Sequence, residues 1–261
     1  MKVCNLASGS SGNLTYIENG KTKILVDIGL ACRDVASRLS LLGVMPSEIT
    51  GVVISHEHYD HAKGAKSFSE KYGTAIYAHK KVWPGLVNKG YYHHTGRHVI
   101  FDDENFMIGN ICISPVEVSH DVPCFGFSFF DDSNKVSILT DLGCTDKRIL
   151  QKIQGSKLVY LEANHDEEML KNGKRYPYVV KKRIASDEGH LSNRASAMFI
   201  SELVKLGTKQ IVLSHISKEN NTPELAYEYI CEKLSDCGII EGTHVKIDVA
   251  TPEPGTVFKL K

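Results

Sequence analysis

The sequence predicts a mixed α/β fold of the α+β kind, with stacked sheets covered by helices on both outer faces. Three observations predict it. Short β-branched apolar runs recur along the chain, and helix start and stop signals fall between them. No linker, repeat or low-complexity segment interrupts the pattern, so residues 1–261 read as a single domain.

The apolar runs share a further property: each ends in a polar, metal-competent residue. Ile24-Leu25-Val26 leads to Asp27, and Val52-Val53-Ile54-Ser55 to His56. Val116-Glu117-Val118-Ser119 leads to His120, and Ser137-Ile138-Leu139-Thr140 to Asp141. Leu158-Val159-Tyr160-Leu161 leads to Glu162, and Ile211-Val212-Leu213-Ser214 to His215. Runs of this length are strands buried on at least one face. Packing is a poor explanation for a titratable group at each end, because buried charge is costly unless paired or metal-bound. Six such ends point to one shared polar site at the rim of the sheet.

Helices are expected over Asp34 to Leu42, stopped by Gly43, over Ala62 to Lys71, and over Asp146 to Gln154, ended by Gly155. Ser192 can cap a helix running through Met198-Phe199-Ile200 and Leu203-Val204 to Gly207. Thr222-Pro223-Glu224 opens another with an N-cap, a proline and an early acid, and Gly238 closes it. The tail alternates as strands around Pro252-Glu253-Pro254-Gly255.

Composition narrows the class. Lys plus Arg equals Asp plus Glu at 31 each, so no global field attracts a polyanion or argues against one. The seven cysteines are odd in number and contain no Cys-x-x-Cys pair, which argues against a disulfide framework and a cysteine-zinc site. No signal pattern opens the chain and no run approaches the length of a membrane span, so a cytoplasmic protein with no membrane partner is expected. A homo-oligomer is compatible with all of this.

Among twelve histidines, three fall with an aspartate in the six-residue segment His56-Glu57-His58-Tyr59-Asp60-His61. On extended backbone His56 and His58 point the same way, while Asp60 and His61 follow where the chain turns into a helix. One loop can thus aim two ligands at one ion and two at a neighbour. Imidazoles and carboxylates without thiolates suit zinc, manganese or iron(II). A solvated polar loop is the plainer explanation, and the density of ligands just after a buried strand makes it a poor one.

This His-x-His-x-Asp-His segment resembles the signature of the metallo-β-lactamase superfamily, whose other motifs follow in order. The resemblance implies the four-layer αββα sandwich, two packed mixed sheets with helices on both outer faces. It also implies two divalent metal ions. His56, His58, His120 and Asp141 would hold one, and Asp60, His61, Asp141 and His215 the other, with Asp27 behind them. Aspartate at 141, where the antibiotic-degrading enzymes carry a cysteine, resembles the dinuclear hydrolases. Two ions about 3.5–4 Å apart would hold a hydroxide at neutral pH and polarise a phosphoryl or carbonyl oxygen.

His190, in Glu188-Gly189-His190-Leu191-Ser192, lies just before a helix start, where backbone N–H groups favour an anion. With Glu162 it resembles the pair of the ribonuclease Z-like phosphodiesterases, so His190 is the general-acid candidate and Glu162 its partner. Asp60 joins them in the catalytic set, and an exposed turn histidine is the plainer reading of His190. His165 is expected behind the ligands or facing substrate. His93 and His94 are near-mouth residues without an assigned role.

A narrower resemblance is to the YycJ/WalJ-like branch. It rests on Leu6 to Asn13, Leu161 to Asp166, Gly189 to Asn193, Leu213 to Ser217 and Glu219-Asn220-Asn221. That branch implies a 5′-to-3′ exonuclease with DNA as partner. In the Gly/Ser loop Ser8, Ser10, Ser11 and Asn13 are candidate phosphate contacts, since closely spaced N–H groups can form an anion nest. Lys171 to Arg183 carries six basic residues and no acid, interleaved with Tyr176 and Tyr178. Basic groups can neutralise phosphates and tyrosines can stack on unpaired bases, although a solvated basic hairpin explains the segment equally well. Only 73 residues separate Asp141 from His215, too few for the large inserted domain of ribonuclease J-type enzymes. A hydrolase of a small phosphodiester or ester, and a non-catalytic metal-binding sensor, are the alternative functions.

Overall fold

The computed structural model describes residues 1–92 and 96–260. In chain order the strands are β1 (Lys2–Ala7), β2 (Leu14–Asn19), β3 (Thr22–Val26), β4 (Gly51–Ile54), β5 (Ala75–His79), β6 (His98–Phe101) and β7 (Phe106–Ile108). They continue as β8 (Ile111–Val118), β9 (Cys124–Phe130), β10 (Lys135–Leu139), β11 (Leu158–Glu162), β12 (Gln210–Ser214), β13 (Lys246–Val249) and β14 (Val257–Lys259). The helices are α1 (Cys32–Leu41), α2 (Tyr59–Ala62), α3 (Ala65–Tyr72), α4 (Trp83–Asn88), α5 (Lys147–Ile153), α6 (Glu167–Asn172), α7 (Tyr178–Ile184), α8 (Asn193–Lys205) and α9 (Pro223–Asp236).

Contacts group the chain into two units, Met1–Pro115 with Phe129–Asn134 and Pro252–Lys261, and Val116–Ser128 with Lys135–Thr251. In the first unit seven strands form a sheet in the order β14-β1-β2-β3-β4-β5-β6. Its β1–β3 portion is antiparallel and β3 to β6 run parallel. Parallel pairing sets equivalent strand ends side by side: Val26 registers with Val53, so Asp27 and Ser55 leave the same edge. The strands are buried along most of their length, as expected for near-continuous Val/Ile/Leu runs.

The second sheet runs β13-β12-β11-β10-β9-β8-β7. Its parallel part, β10 to β13, lies wholly in the second unit, with Leu139 beside Leu161 and Glu162 beside Ser214. Asp141, Glu162 and His215 therefore issue from the carboxyl ends of three adjacent strands. A core of Leu139, Val159, Leu161, Leu213, Phe199, Ile200, Leu203 and Ile230 anchors those strands against α8 and α9. Burying each such side chain contributes about 1.5–3 kcal/mol, enough to hold the strand ends in place.

The caps expected from sequence are present. Asp146, Ser192 and Thr222 accept from the backbone N–H groups of Ile149, Ala195 and Leu225. Two elements differ. The helix expected over Ala62 to Lys71 is split into α2 and α3 around Gly64, where an added Cβ would lie 2.3 Å from the Leu30 carbonyl oxygen. The basic segment 171–183 carries helical turns: α6 is capped by Asp166, and α7 begins directly after Pro177. The Tyr178-Val179-Val180 run has strand-like propensity, but burial of Ile184 and Leu170 decides for helix.

Candidate active site

In the first unit the strand ends deliver a compact polar cluster. Asp27 follows β3 at φ 57° and is 4% exposed. Its Oδ1 accepts from the Ser55 N–H (2.8 Å) and hydroxyl (2.9 Å), and its Oδ2 accepts from His61 Nδ1 (2.7 Å). Because the Ser55 hydroxyl spends its proton on Asp27, its oxygen accepts from His56 Nδ1 at 2.9 Å. Both imidazoles are thus fixed with Nδ1 as donor, which leaves Nε2 as the lone-pair nitrogen. His61 Nε2 accepts from the Asn13 amide at 2.8 Å, as that tautomer requires. The His56 ring lies 4.7 Å from that of His58 and 4.2 Å from that of His61.

The Gly/Ser loop braces this cluster. Asn13 N–H donates to the Asp60 carbonyl at 2.8 Å, and Gly29 N–H to the Asn13 carbonyl at 2.9 Å. A Cβ at Gly29 would sit 1.6 Å from the Asp60 oxygen, so only glycine permits the approach. Of the four phosphate candidates, Ser8 and Asn13 are buried, with Asn13 engaged by Gly9, Asp60 and His61. Ser10 and Ser11 are exposed.

In the second unit Glu162 is the organising group. It is fully buried at the end of β11, and its Oε1 accepts from His215 Nδ1 (2.7 Å) and His190 Nδ1 (2.9 Å). Its Oε2 accepts from the N–H groups of Leu142 (3.1 Å) and Leu191 (3.2 Å). Burial alone would raise its pKa; the charges and hydrogen bonds of His190 and His215 pull it down to about 2. Burial would likewise lower the pKa of His190, but the Glu162 carboxylate holds it above the ordinary 6.5. Ligand atoms of Asp141, Glu162, His190 and His215 all lie within 4.8 Å of one another. His120 Nδ1 donates to the Gly189 carbonyl (3.2 Å), and its Nε2 lies 3.2 Å from Asp121 and 4.0 Å from Asp141.

Loop packing in this unit again depends on glycine. A Cβ at Gly189 would fall 2.2 Å from the Arg183 and Ile184 oxygens, and one at Gly143 would fall 2.3 Å from the Asp187 backbone. The loop bearing Asp141 is also tied to the strand end before His120 by Gly143 N–H donating to Ser119 (2.9 Å).

Backbone strain marks the same residues. Among the described residues the non-glycine positions with positive φ are Asp27 (57°), Asp141 (58°) and His215 (54°). Each such residue costs on the order of 1–3 kcal/mol and persists only where its surroundings over-determine it. The chemistry of the donors fits divalent metal binding. His56, His61, His120 and His215 all have Nδ1 held by a hydroxyl, carboxylate or carbonyl, which leaves Nε2 as the nitrogen with ligand chemistry, at His61 in exchange for the Asn13 amide.

His165 lies just beyond β11, 2% exposed, with its Nδ1 buried and without a hydrogen bond, and burial pushes its pKa down to about 4. His93 and His94 lie outside the described residues. Sequence reasoning passed over Ser55 and Asp121. Ser55 bridges Asp27 to His56, and Asp121 receives Arg183 Nη1 at 2.6 Å beside His120. Their adjacency to His56 and His120 was the available signal. It also passed over Asn164, whose amide holds the His215 carbonyl at 2.9 Å.

Comparison with known proteins agrees with this construction. The family described as the beta-lactamase superfamily domain matches residues 22–216. The chain is 36% identical to exodeoxyribonuclease WalJ of Streptococcus pneumoniae, covering 98% of this chain and 96% of that protein. It is 34% identical to exodeoxyribonuclease YycJ of Bacillus anthracis, covering 96% of each. The crystal structure of the metallo-beta-lactamase fold protein YhfI from Bacillus subtilis superposes with a TM-score of 0.73 at 16% identity, over 99% of both chains, which shows the metallo-β-lactamase fold. The chain belongs to the metallo-β-lactamase superfamily, in the family of the WalJ and YycJ proteins.

Proposed function

We propose that this chain is a metal-dependent exodeoxyribonuclease that hydrolyses the phosphodiester bonds of DNA, in the 5′-to-3′ direction that the branch resemblance implies. The observation that carries the reading is Glu162 Oε1, which accepts from both His190 and His215. One buried carboxylate orients a candidate metal ligand and a candidate proton donor together. The names of the relatives at 34–36% identity support DNA as the substrate.

The ligand set proposed follows the family pattern: His56, His58, His120 and Asp141 for one divalent ion, and Asp60, His61, Asp141 and His215 for the other. The donors are imidazole and carboxylate, compatible with zinc, manganese or iron(II). When bound, the ions supply a nucleophile at neutral pH and positive charge for the phosphoryl oxygens. His190 holds a proton on an imidazole whose Nδ1 is committed to Glu162, so Nε2 is the atom that delivers it to the leaving oxygen. The raised pKa of His190 keeps that proton available near neutrality. Asp27 and Ser55 keep His61 and His56 in the tautomer that binds metal. Among the described residues no helix is long and apolar enough to cross a membrane, and a DNA substrate supports a cytoplasmic location.

The test is release of nucleotides from 5′-labelled DNA with Mn²⁺ or Zn²⁺ supplied, beside a His61→Ala protein. Metal-dependent release that His61→Ala abolishes is expected. Intact DNA together with hydrolysis of small phosphodiesters would transfer the reading to a small-molecule phosphodiesterase.

A further inference from the structure

The basic segment of the second unit forms one wall of a cleft that the chemistry above does not use. The cleft has a volume of about 340 Å³ and is lined by His165, Leu170, Lys171, Tyr178, Lys181 and Lys182 together with Glu167 and Ala185. That volume lies within the roughly 300–1,000 Å³ typical of small-ligand sites. Its floor is apolar, with Leu170 buried, and its rim is basic.

Three observations inside it point to a ligand. The first is His165, 2% exposed, whose Nδ1 is buried without a hydrogen bond. Buried polar atoms are rarely left so, and an imidazole at the cleft wall with no side-chain hydrogen bond has its hydrogen-bonding capacity unspent. Burial keeps this imidazole neutral, its pKa pushed down to about 4, so it presents one donor and one acceptor at neutral pH. The second is Tyr178, 79% exposed beside Val179 at 77%, an aromatic face held at the rim rather than packed. The third is charge. Among the described residues Lys182 makes no hydrogen bond or ion pair, and Lys174 and Arg175 nearby in sequence are exposed. Glu167, the one acid on the lining, is engaged by Arg194 Nε (3.3 Å) and the Ser192 hydroxyl (3.1 Å). Lys181 donates to the Lys171 carbonyl at 2.8 Å, which ties α7 to the end of α6 and keeps the cleft formed.

We propose that this cleft binds one nucleotide of the single-stranded DNA end, with Tyr178 stacking on the base, His165 hydrogen-bonding its edge, and Lys171 and Lys182 meeting the flanking phosphates. An apolar floor, an aromatic face, an amphoteric hydrogen-bonding group and a lysine rim together match a nucleotide, in which a flat polar-edged base adjoins anionic oxygen. His165 lies three residues beyond Glu162 and responds to the charges of Glu162 and His190, so the cleft adjoins the candidate chemistry. The proposal rests on the DNA reading above for its substrate class and adds where a base is held.

The test separates the two. A 3′-labelled, 5′-phosphorylated oligothymidylate is titrated against the full-length protein in EDTA and followed by fluorescence anisotropy, so that no cleavage occurs. Tyr178→Ala should weaken binding roughly ten-fold, Tyr178→Phe should retain wild-type affinity, and Lys182→Ala should reduce the slope of affinity against salt by about one ion. With metal restored, KM for the oligonucleotide should rise in Tyr178→Ala by the same factor. Wild-type affinity in Tyr178→Ala, or no binding by the wild type, overturns the cleft. DNA cleavage with unchanged Tyr178→Ala binding overturns the cleft and leaves the nuclease standing. Tyr178-dependent binding without cleavage by the metal-loaded wild type upholds the cleft and removes the nuclease.

Discussion

The two units solve one problem with different economies. In the first, Asp27 serves a single histidine directly, His61, and reaches a second, His56, only through the Ser55 hydroxyl. In the second, Glu162 serves His190 and His215 through one oxygen and two backbone N–H groups through the other. Asp27 sits in a strained left-handed turn, whereas Glu162 lies on regular strand, fully buried. Both carboxylates use both oxygens, Asp27 on Ser55 and His61, Glu162 on two histidines and two backbone N–H groups. What differs is the donors: one of Asp27's is a hydroxyl that relays to a second histidine, whereas Glu162 reaches both of its histidines itself. The Glu162 assembly should therefore be the more tightly coupled of the two.

The largest expected effect tests that coupling. Glu162→Ala leaves two imidazoles and two N–H groups without their acceptor, and should cost about 3–5 kcal/mol in urea unfolding of metal-free protein. Asp27→Ala leaves one imidazole, one hydroxyl and one N–H without their acceptor, and should cost about 1–3 kcal/mol. An Asp27 variant less stable than the Glu162 variant would reverse the comparison.

Next comes His190, the proposed proton donor, which Glu162 orients. His190→Gln should lower the rate of DNA hydrolysis by about 10²–10⁴-fold. Because Glu162 holds the His190 pKa above 6.5, the wild-type rate should fall as pH rises through that raised value. The variant should lose this basic limb; retaining it would assign the proton to another group.

A smaller effect concerns the second unit alone. The His165 pKa lies near 4 in the folded chain against an ordinary 6.5, so between these values the unfolded chain binds a proton that the folded chain refuses. This neutral histidine leaves stability intact above pH 6.5 and removes up to about 3 kcal/mol as pH falls toward 4. Unfolding midpoints against pH should show that slope, and His165→Asn should flatten it. The smallest effect is on the serine bridge: Ser55→Ala should cost about 1–2 kcal/mol and lower metal affinity in competition with a chelator.

Legibility in the sequence followed the same divide. His56, His58, Asp60 and His61 stand within six residues, so local spacing alone reveals them. Asp141, Glu162, His190 and His215 extend over 75 residues, and only parallel pairing of β10, β11 and β12 sets three of them on one edge. Strand-end position and family order identified those residues without showing that Glu162 holds two histidines rather than one. Ser55, Asp121 and Asn164 carried no signal beyond adjacency to candidate residues, because a hydrogen-bonding role depends on what a distant segment brings opposite. For residues 171–183 a basic hairpin is one of two readings left open by composition, which records their charge but not the burial of Leu170 and Ile184 in the helices at either end.

By itself the sequence determined the superfamily, the strands and their titratable ends, the main helix caps and the chemical class of the ligands. These are properties of short spans, where periodicity, capping and spacing act within a few residues. Tertiary structure alone decided which nitrogen each imidazole presents, that Glu162 is shared, and that His165 keeps a buried nitrogen unpaired above a basic cleft. Those depend on partners tens of residues away, whose positions are set by strand register and core packing.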